Sequence, residues 1–304
     1  MRIPKGGIGF FDSGIGGLTV MAECRKRFPD EIFYYYGDNK RAPYGNLSPK
    51  KIRKYVFSAC KRFQRLDVQA VVIACNTATA VCIEALRKTF PFPIVGVEPA
   101  LLLAANGKGK IFVLTTKATF SSERFARLRH KTREKYPSAD IECYPCIGLA
   151  GEIESNVGNP TFNLASFLPR GKPDMVVLGC THYLYAKEQI ERFYGCKSVD
   201  GNKGVAKRLE EVLRREKTLK NTIKPLDATL RPQDEKNREF LPLKTTSNHL
   251  NDEKKSTTEK PNECSRLERA KCFNQKDCRV FFIGSGRQKN QKIWKQMFVF
   301  CLKK

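Results

Sequence analysis

The chain sets one short pattern down twice. Val71-Val72-Ile73-Ala74 runs apolar into Cys75 and turns polar at Asn76-Thr77-Ala78-Thr79, and Val176-Val177-Leu178-Gly179 runs into Cys180 ahead of Thr181-His182. Each run lacks polar alternation, which reads as a strand buried on both faces, the kind found in parallel sheets covered by helices. Asn76, Thr77 and Thr79 read as the cap of a following helix. Each thiol then stands at the carboxyl end of a strand, where open α/β sheets place their ligands. The repetition implies two half-sites built alike, with two thiols able to face one another across a cleft.

The rest of the chain alternates strands and helices in the same manner. Gly7 to Phe11 reads as a buried strand, and Asp12-Ser13-Gly14-Ile15-Gly16-Gly17-Leu18 as the turn after it. The simpler reading of that turn is a helix cap; its glycines would also let backbone amides approach something small and anionic. Ile32 to Tyr36 is a second strand, Arg41-Ala42-Pro43-Tyr44-Gly45 an ordered loop, and Ser48-Pro49 an N-cap with Pro at the first helical position. The helix that follows carries a basic stripe expected to face solvent. Further strands are expected at Ile94–Val97, Lys110–Leu114, Ile141–Tyr144, Val176–Gly179 and Ser198–Val199. A basic helix is expected from Ser121 to about Tyr136, and another helix opens at Leu149-Ala150-Gly151-Glu152.

Glu98-Pro99 stops the Ile94 strand and marks a crossing between two α/β domains. Residues 1–98 with 205–304 form the first and 99–204 the second, each around a mainly parallel sheet. A helix expected from about Asn202 to Lys217 returns the chain towards the first. Residues 218–278 are rich in Lys, Glu, Asn and Thr without sustained periodicity, and are expected to be a largely disordered insertion. Arg279 to Ile283 and Ile293 to Leu302 then read as a strand and an amphipathic helix returning to a core.

Composition narrows the classes. A formal net charge of +25 invites a nucleic-acid reading, but residues 1–215 hold 35 Lys+Arg against 20 Asp+Glu, 216–278 hold 14 against 11, and 279–304 hold 7 against none. The excess is diffuse apart from a basic tip, and no nucleic-acid-binding motif accompanies it. No apolar run is long enough to span a bilayer and Met1-Arg2-Ile3-Pro4-Lys5 is no signal-peptide core, so a cytoplasmic protein with no membrane partner is expected. Twelve cysteines are too dilute for a secreted disulfide scaffold and are expected to be reduced. Cys143 and Cys146 have the spacing of a metal pair but no second pair or His beside them; Cys264, Cys272 and Cys278 are spaced too loosely, and no metal is expected.

A Cys at a strand end is ordinarily a small core residue. The shared context raises Cys75 and Cys180 above that reading. Of three histidines only His182 sits where it can tune a thiol. Asp12 reads either as a cap or as an acid turned to the thiols, and Glu152 either as a helix-start carboxylate or as the same. One activated Cys with a His would suit acyl transfer. Two thiols on opposite walls suit inversion of a stereocentre, one removing a proton from carbon while the other delivers a proton to the opposite face. No Schiff-base lysine motif for pyridoxal phosphate is evident, and no cofactor is expected. Ser13, Asn76, Thr77 and Thr181 could hold an α-carboxylate.

Taken in order, Phe11-Asp12-Ser13-Gly14-Ile15-Gly16-Gly17-Leu18-Thr19-Val20, Pro43-Tyr44-Gly45, Cys75-Asn76-Thr77-Ala78-Thr79, Val95-Gly96-Val97-Glu98-Pro99 and Gly179-Cys180-Thr181-His182-Tyr183 resemble the bacterial glutamate racemases. The resemblance spans residues 6–217 and, more faintly, 279–302. It implies two α/β domains facing each other with the active site in the cleft between them, usually in a homodimer. It implies a cofactor-independent enzyme interconverting L- and D-glutamate for peptidoglycan synthesis. Cys75 and Cys180 would be the two proton donors and acceptors, Asp12 assisting the first and His182 with Glu152 the second. Substrate contacts would fall to Asp12, Ser13, Tyr44, Gly45, Asn76, Thr77, Thr181 and His182, with Thr119 beside them. The sequence departs from that family at Thr115-Thr116-Lys117-Ala118-Thr119, at Leu184 and around Glu152. A racemase acting on aspartate or another small acidic compound would carry the same thiols. A nucleic-acid-binding or topoisomerase-modulating protein on a racemase fold, and a thiol hydrolase, are the readings from other classes.

Overall fold

Strand β1 (Ile8–Asp12) is apolar until its last residue and lies at the centre of a six-stranded sheet. The computed structural model describes residues 4–107, 109–157, 159, 162–223, 271–273, 280–284, 294–296, 298 and 301. After β1 come α1 (Gly17–Arg27), β2 (Phe33–Gly37), α2 (Pro49–Arg65), β3 (Ala70–Ile73), α3 (Asn76–Thr89) and β4 (Ile94–Gly96). A second group follows: α4 (Leu101–Ala104), β5 (Lys110–Thr115), α5 (Lys117–Phe120), α6 (Glu123–Lys135), β6 (Asp140–Pro145), α7 (Leu149–Ser155), β7 (Met175–Gly179), α8 (Lys187–Tyr194) and β8 (Lys197–Val199). The chain then enters α9 (Asn202–Ile223), and β9 (Lys271–Phe273) and β10 (Val280–Phe282) complete the first sheet.

The first sheet has the order β4-β3-β1-β2-β10-β9, parallel except for β9 at its edge. The second, β6-β5-β7-β8, is parallel throughout. In each, the chain leaves its first strand to one side and then crosses to the other. The reversal opens a crevice at the carboxyl ends of β1 and β3 in one sheet and of β5 and β7 in the other. Asp12 and Cys75 stand at the first crevice, and Thr115 and Cys180 at the second.

Both sheets are covered on both faces, which is why their strands read as unbroken apolar runs. The period of two divides each strand between two cores. Strand β3 turns Val72 and the following Ala74 toward α1 and α9, while Val71, Ile73 and Cys75 face α2 and α3. In the second sheet Leu114, Leu178 and Cys180 share a core with α7 and α8, whereas Val113 and Val177 pack with Phe125 of α6. Each thiol is thus the last residue of a core-facing row. Along α2, Ile52, Val56, Ala59, Cys60 and Phe63 are buried while Lys51, Arg53, Lys54, Lys61 and Arg65 are exposed, so the basic stripe does face solvent.

Three local expectations need correction. Ser48 occupies the N-cap position of α2 with Pro49 next, but its side chain makes no capping hydrogen bond. The helix expected from Ser121 to about Tyr136 is α6, which starts two residues later at Glu123 because Ser122 caps it by accepting from the Phe125 amide at 3.1 Å; the short helix α5 precedes it. The segment 218–278 carries structure that the expectation omitted: α9 continues through Ile223, and β9 pairs antiparallel with β10. Its remainder, with Cys264 and Cys278, lies outside the described residues. The expected return of the last run to a core holds, since β10 pairs with β2 and Trp294 and Phe298 are fully buried.

Among the described residues, no group of His, Cys, Asp and Glu could hold a metal ion, and no helix is long and apolar enough to cross a membrane. Phe10 is wholly buried between β2 and the α1–α9 layer, 4.9 Å from the Phe33 ring. Phe10→Ala should cost about 3–5 kcal/mol of stability in urea unfolding with an unchanged denaturant slope.

Candidate active site

Cys75 lies two residues past β3 and serves as the N-cap of α3, its Sγ accepting from the Ala78 amide at 3.5 Å. The cap is the thiol itself, and Asn76 and Thr77 form the first helical turn. Thr79 donates its hydroxyl to the Ile73 carbonyl at 3.1 Å, tying the helix back to the strand. Ser13 Oγ lies 3.5 Å from the Cys75 sulfur. Burial pushes the Cys75 thiol up to about 12, with the nearby Asp12 carboxylate adding to the rise and the Ser13 and Ala78 contacts opposing it. At neutral pH Cys75 is a neutral thiol. A charge on Cys180 also opposes its ionisation, so each half-site is within reach of the other's field.

Asp12 is fully buried at the end of β1. Its Oδ2 accepts from the Gly14 amide at 2.9 Å, while Oδ1 has no hydrogen-bond partner of good geometry. Burial raises its pKa above the ordinary carboxylate value, against the pull of His182 and the Gly14 and Gly17 amides. An unpartnered oxygen on a buried acid suits a ligand cation.

The second half-site begins at Cys180, which precedes a 3-10 turn over Thr181–Ala186. His182 Nδ1 lies 3.9 Å from the Cys180 sulfur, and its Nε2 lies 3.0 Å from Glu154 Oε2. Burial lowers the His182 pKa, but hydrogen bonds to Cys180 and Glu154 and the charge of Glu154 outweigh it and hold the ring well above its usual value. These contacts favour the protonated form of an imidazole set between a carboxylate and the Cys180 sulfur.

The carboxylate that meets His182 is Glu154, where the sequence reading had put Glu152. On a helix the two are turned about 200° apart. Glu154 shares the face of buried Ala150, while the Glu152 carboxylate accepts from Asn156 Nδ2 at 2.8 Å. The glycine turn after β1 makes this approach possible. A Cβ on Gly14 would lie 2.5 Å from Glu154 Oε1, and one on Gly16 would lie 2.5 Å from Thr181 Oγ1 and 2.7 Å from His182 Nδ1.

Ser13, Asn76, Thr77, Thr119 and Thr181 are all buried, an unusual concentration of polar side chains. Thr77 and Thr119 are joined through Thr116, whose hydroxyl lies 2.9 Å from that of Thr77 and 3.0 Å from that of Thr119, linking the two sheets. Thr116 was visible as a hydroxyl at a strand end, although nothing in the sequence paired it with Thr77. Tyr44 donates its hydroxyl to Asp38 Oδ2 at 2.7 Å, and burial with that acid drives its pKa far up, so the phenol is engaged within the protein. Gly45 packs against Thr116, where a Cβ would lie 3.4 Å from that residue's Cβ.

Two parallel sheets whose switch points each end in a thiol define a class. The chain belongs to the Asp/Glu/Hydantoin racemase family, whose model matches residues 19–209. Among relatives, the glutamate racemase of Clostridium novyi (strain NT) is 38% identical over 240 residues, covering 74% of this chain and 92% of that protein. The Escherichia coli glutamate racemase, solved with L-glutamate and the activator UDP-MurNAc-Ala, superposes with a TM-score of 0.62 at 30% identity over 70% of this chain and 83% of its own. The Campylobacter jejuni glutamate racemase has the same fold, with a TM-score of 0.64 over 96% of this chain and 98% of its own at 22% identity.

The raised pKa of His182 has a thermodynamic sign. A base whose folded value exceeds its unfolded value of about 6.5 contributes stability fully below that pH and loses it as pH rises through the folded value. The stability advantage of the native protein over His182→Gln should therefore be largest near pH 6 and shrink toward pH 9 in urea titrations at both pH values.

Proposed function

We propose that the protein is a glutamate racemase that interconverts L- and D-glutamate without a cofactor, using Cys75 and Cys180 on opposite faces of the α-carbon and supplying D-glutamate for peptidoglycan synthesis. The observation that carries this reading is the pairing of the thiols with unlike partners: Cys75 with Asp12 and Ser13, Cys180 with the His182–Glu154 pair. The two α/β halves, residues 1–98 with 205–304 and residues 99–204, form the walls of the cleft. The enzyme works in the cytoplasm as a homodimer, by its likeness to the family.

In one direction the Cys180 thiolate, held beside the His182 cation, takes the α-proton. It becomes a thiol, and the electron pair of the broken C–H bond stays on carbon, delocalised into the α-carboxylate. The neutral Cys75 thiol then gives its proton to the opposite face and is left as a thiolate. The mirror-image substrate runs the same steps backwards. After turnover the Cys75 thiolate is reprotonated and the Cys180 thiol loses its proton by exchange with solvent water, while protonated His182 stabilises the Cys180 thiolate and Asp12 tunes Cys75. Asp12 Oδ1 receives the substrate ammonium, whose charge restores ionisation to a carboxyl that burial otherwise resists. Ser13, Asn76, Thr77 and Thr181 hold the carboxylates together with backbone groups of the Tyr44–Gly45 turn, and Thr119 supports Thr77 through Thr116. Fixed donors in a dry cavity are what a carbanion-like transition state needs.

Chiral chromatography should show inversion of L-glutamate, and little of L-aspartate, by protein without added cofactor. Cys75→Ala and Cys180→Ala should each lose about a hundredfold to ten-thousandfold in kcat; full turnover by either would rule out the two-thiol reading. Glu154→Gln should lower kcat/KM by about tenfold or more, the scale of a lost charged hydrogen bond, whereas Glu152→Gln should stay close to the native enzyme.

A further inference from the structure

Behind Glu154 the hydrogen bonding continues away from the thiols into a distant part of the chain. Glu154 Oε1, the oxygen not facing His182, accepts from Asn39 Nδ2 at 2.8 Å. Asn39 Oδ1 accepts in turn from the indole Nε1 of Trp294 at 3.0 Å. Trp294 is fully buried, edge-on to Tyr35 at 5.9 Å between ring centroids and 6.0 Å from Phe282 of β10. An unbroken line thus runs from the indole through an amide, a carboxylate and an imidazole to the Cys180 sulfur.

The chemistry of its ends fixes the direction of the line. An indole N–H only donates and an ionised carboxylate only accepts. The Asn39 amide between them must therefore turn its oxygen to Trp294 and its nitrogen to Glu154. Without the indole N–H the amide is free to turn over and set its oxygen against the carboxylate. Glu154 also needs holding, because its side chain is 18% exposed and water could compete for it. With one fixed partner on each oxygen, the carboxylate has a single plane in which Oε2 meets His182.

The backbone makes room for this arrangement at Gly37 and Gly284. A Cβ on Gly37 would lie 2.9 Å from Asn39 Oδ1 and 3.0 Å from Trp294 Cζ2, and one on Gly284 would lie 2.4 Å from Trp294 Cη2. Gly37 ends β2 and Gly284 lies just past β10, so the parallel pairing of those strands seats the indole against Asn39.

We propose that Asn39 and Trp294 are positioning residues for the Cys180 half of the site: they orient Glu154, and through it His182, for proton transfer at that sulfur. The region around β10 and Trp294 is on this account part of the catalytic machinery as well as of the core. The proposal rests on the two-thiol reading above.

The test uses purified full-length protein with α-deuterated L- and D-glutamate. Losing one neutral hydrogen bond should lower kcat/KM of Trp294→Phe about threefold to tenfold, and losing the donor to the carboxylate should lower that of Asn39→Ala about tenfold to a hundredfold. Enantiomers are equal in free energy, so kcat/KM falls equally in both directions and does not reveal which side is impaired. The substrate isotope effect does. It should rise for the enantiomer whose proton Cys180 removes, and fall toward unity for its mirror image, where delivery from Cys180 becomes limiting. A smaller folded fraction would move neither isotope effect. Unchanged isotope effects in both directions, or unchanged kcat/KM, in Trp294→Phe would overturn the proposal; that variant keeps an aromatic ring and decides the matter if Asn39→Ala does not fold. Cys75→Ala and Cys180→Ala are assayed alongside: full turnover by either removes the two-thiol reading itself, while two inactive thiol variants with unmoved isotope effects in Trp294→Phe remove only the positioning role.

Discussion

Two sulfurs carried by separate halves of the chain can share one site only if those halves come very close, and the turn after β1 is where they do. Gly14 and Gly16 present bare backbone to Glu154, Thr181 and His182 at distances that no side chain at those positions would tolerate. Further contacts brace the same approach, among them Tyr185 donating to the Ile15 carbonyl at 2.8 Å and Asn202 donating to Thr19 at 3.1 Å. A cap needs one glycine at most, so the run Gly14-Ile15-Gly16-Gly17 reflects tertiary crowding more than local turn chemistry.

The electrostatics of the cleft differ between its walls. On the β1–β3 side burial dominates, and both Asp12 and Cys75 are pushed toward their neutral forms. On the β7 side burial also disfavours charge, yet Glu154 and Cys180 hold His182 as a cation. Desolvating an ion is expensive unless specific partners compensate. His182 has such partners on both ring nitrogens, whereas Asp12 has one free oxygen. On the proposed reading, the wall lacking its own counter-charge is the one that receives the substrate ammonium.

Much of this was legible in the residues. The strand runs, the thiols at their ends and the return of the last segment follow from apolar patterning, which buried parallel strands display without ambiguity. Glu154 was misplaced by two positions because divergent residues surround it; helical period, with Ala150 four residues before, was the signal available. Asn39 and Trp294 could not be found, since neither lies in a motif and their meeting depends on β10 joining β2. Ser48 illustrates the converse, an N-cap signature correctly located whose side chain makes no capping hydrogen bond. In the segment 218–278, composition gave no sign of α9 continuing through Ile223 on the strength of the helix before it, or of β9 being held by a partner strand.

The pairing of β2 with β10 also bears on how the molecule is assembled on the ribosome. Translation proceeds at roughly 5–20 residues per second, so β1 to β4 emerge well before Val280 meets Phe33. Until then the outer rim of β2 is an open row of amides and carbonyls in an aromatic strand, a template that any extended neighbour could occupy. Closing so long a loop is slow. The nascent chain is thus most exposed to wrong pairing in the interval before its own late strand arrives, and a chaperone that shields Phe33–Gly37 would act at that stage.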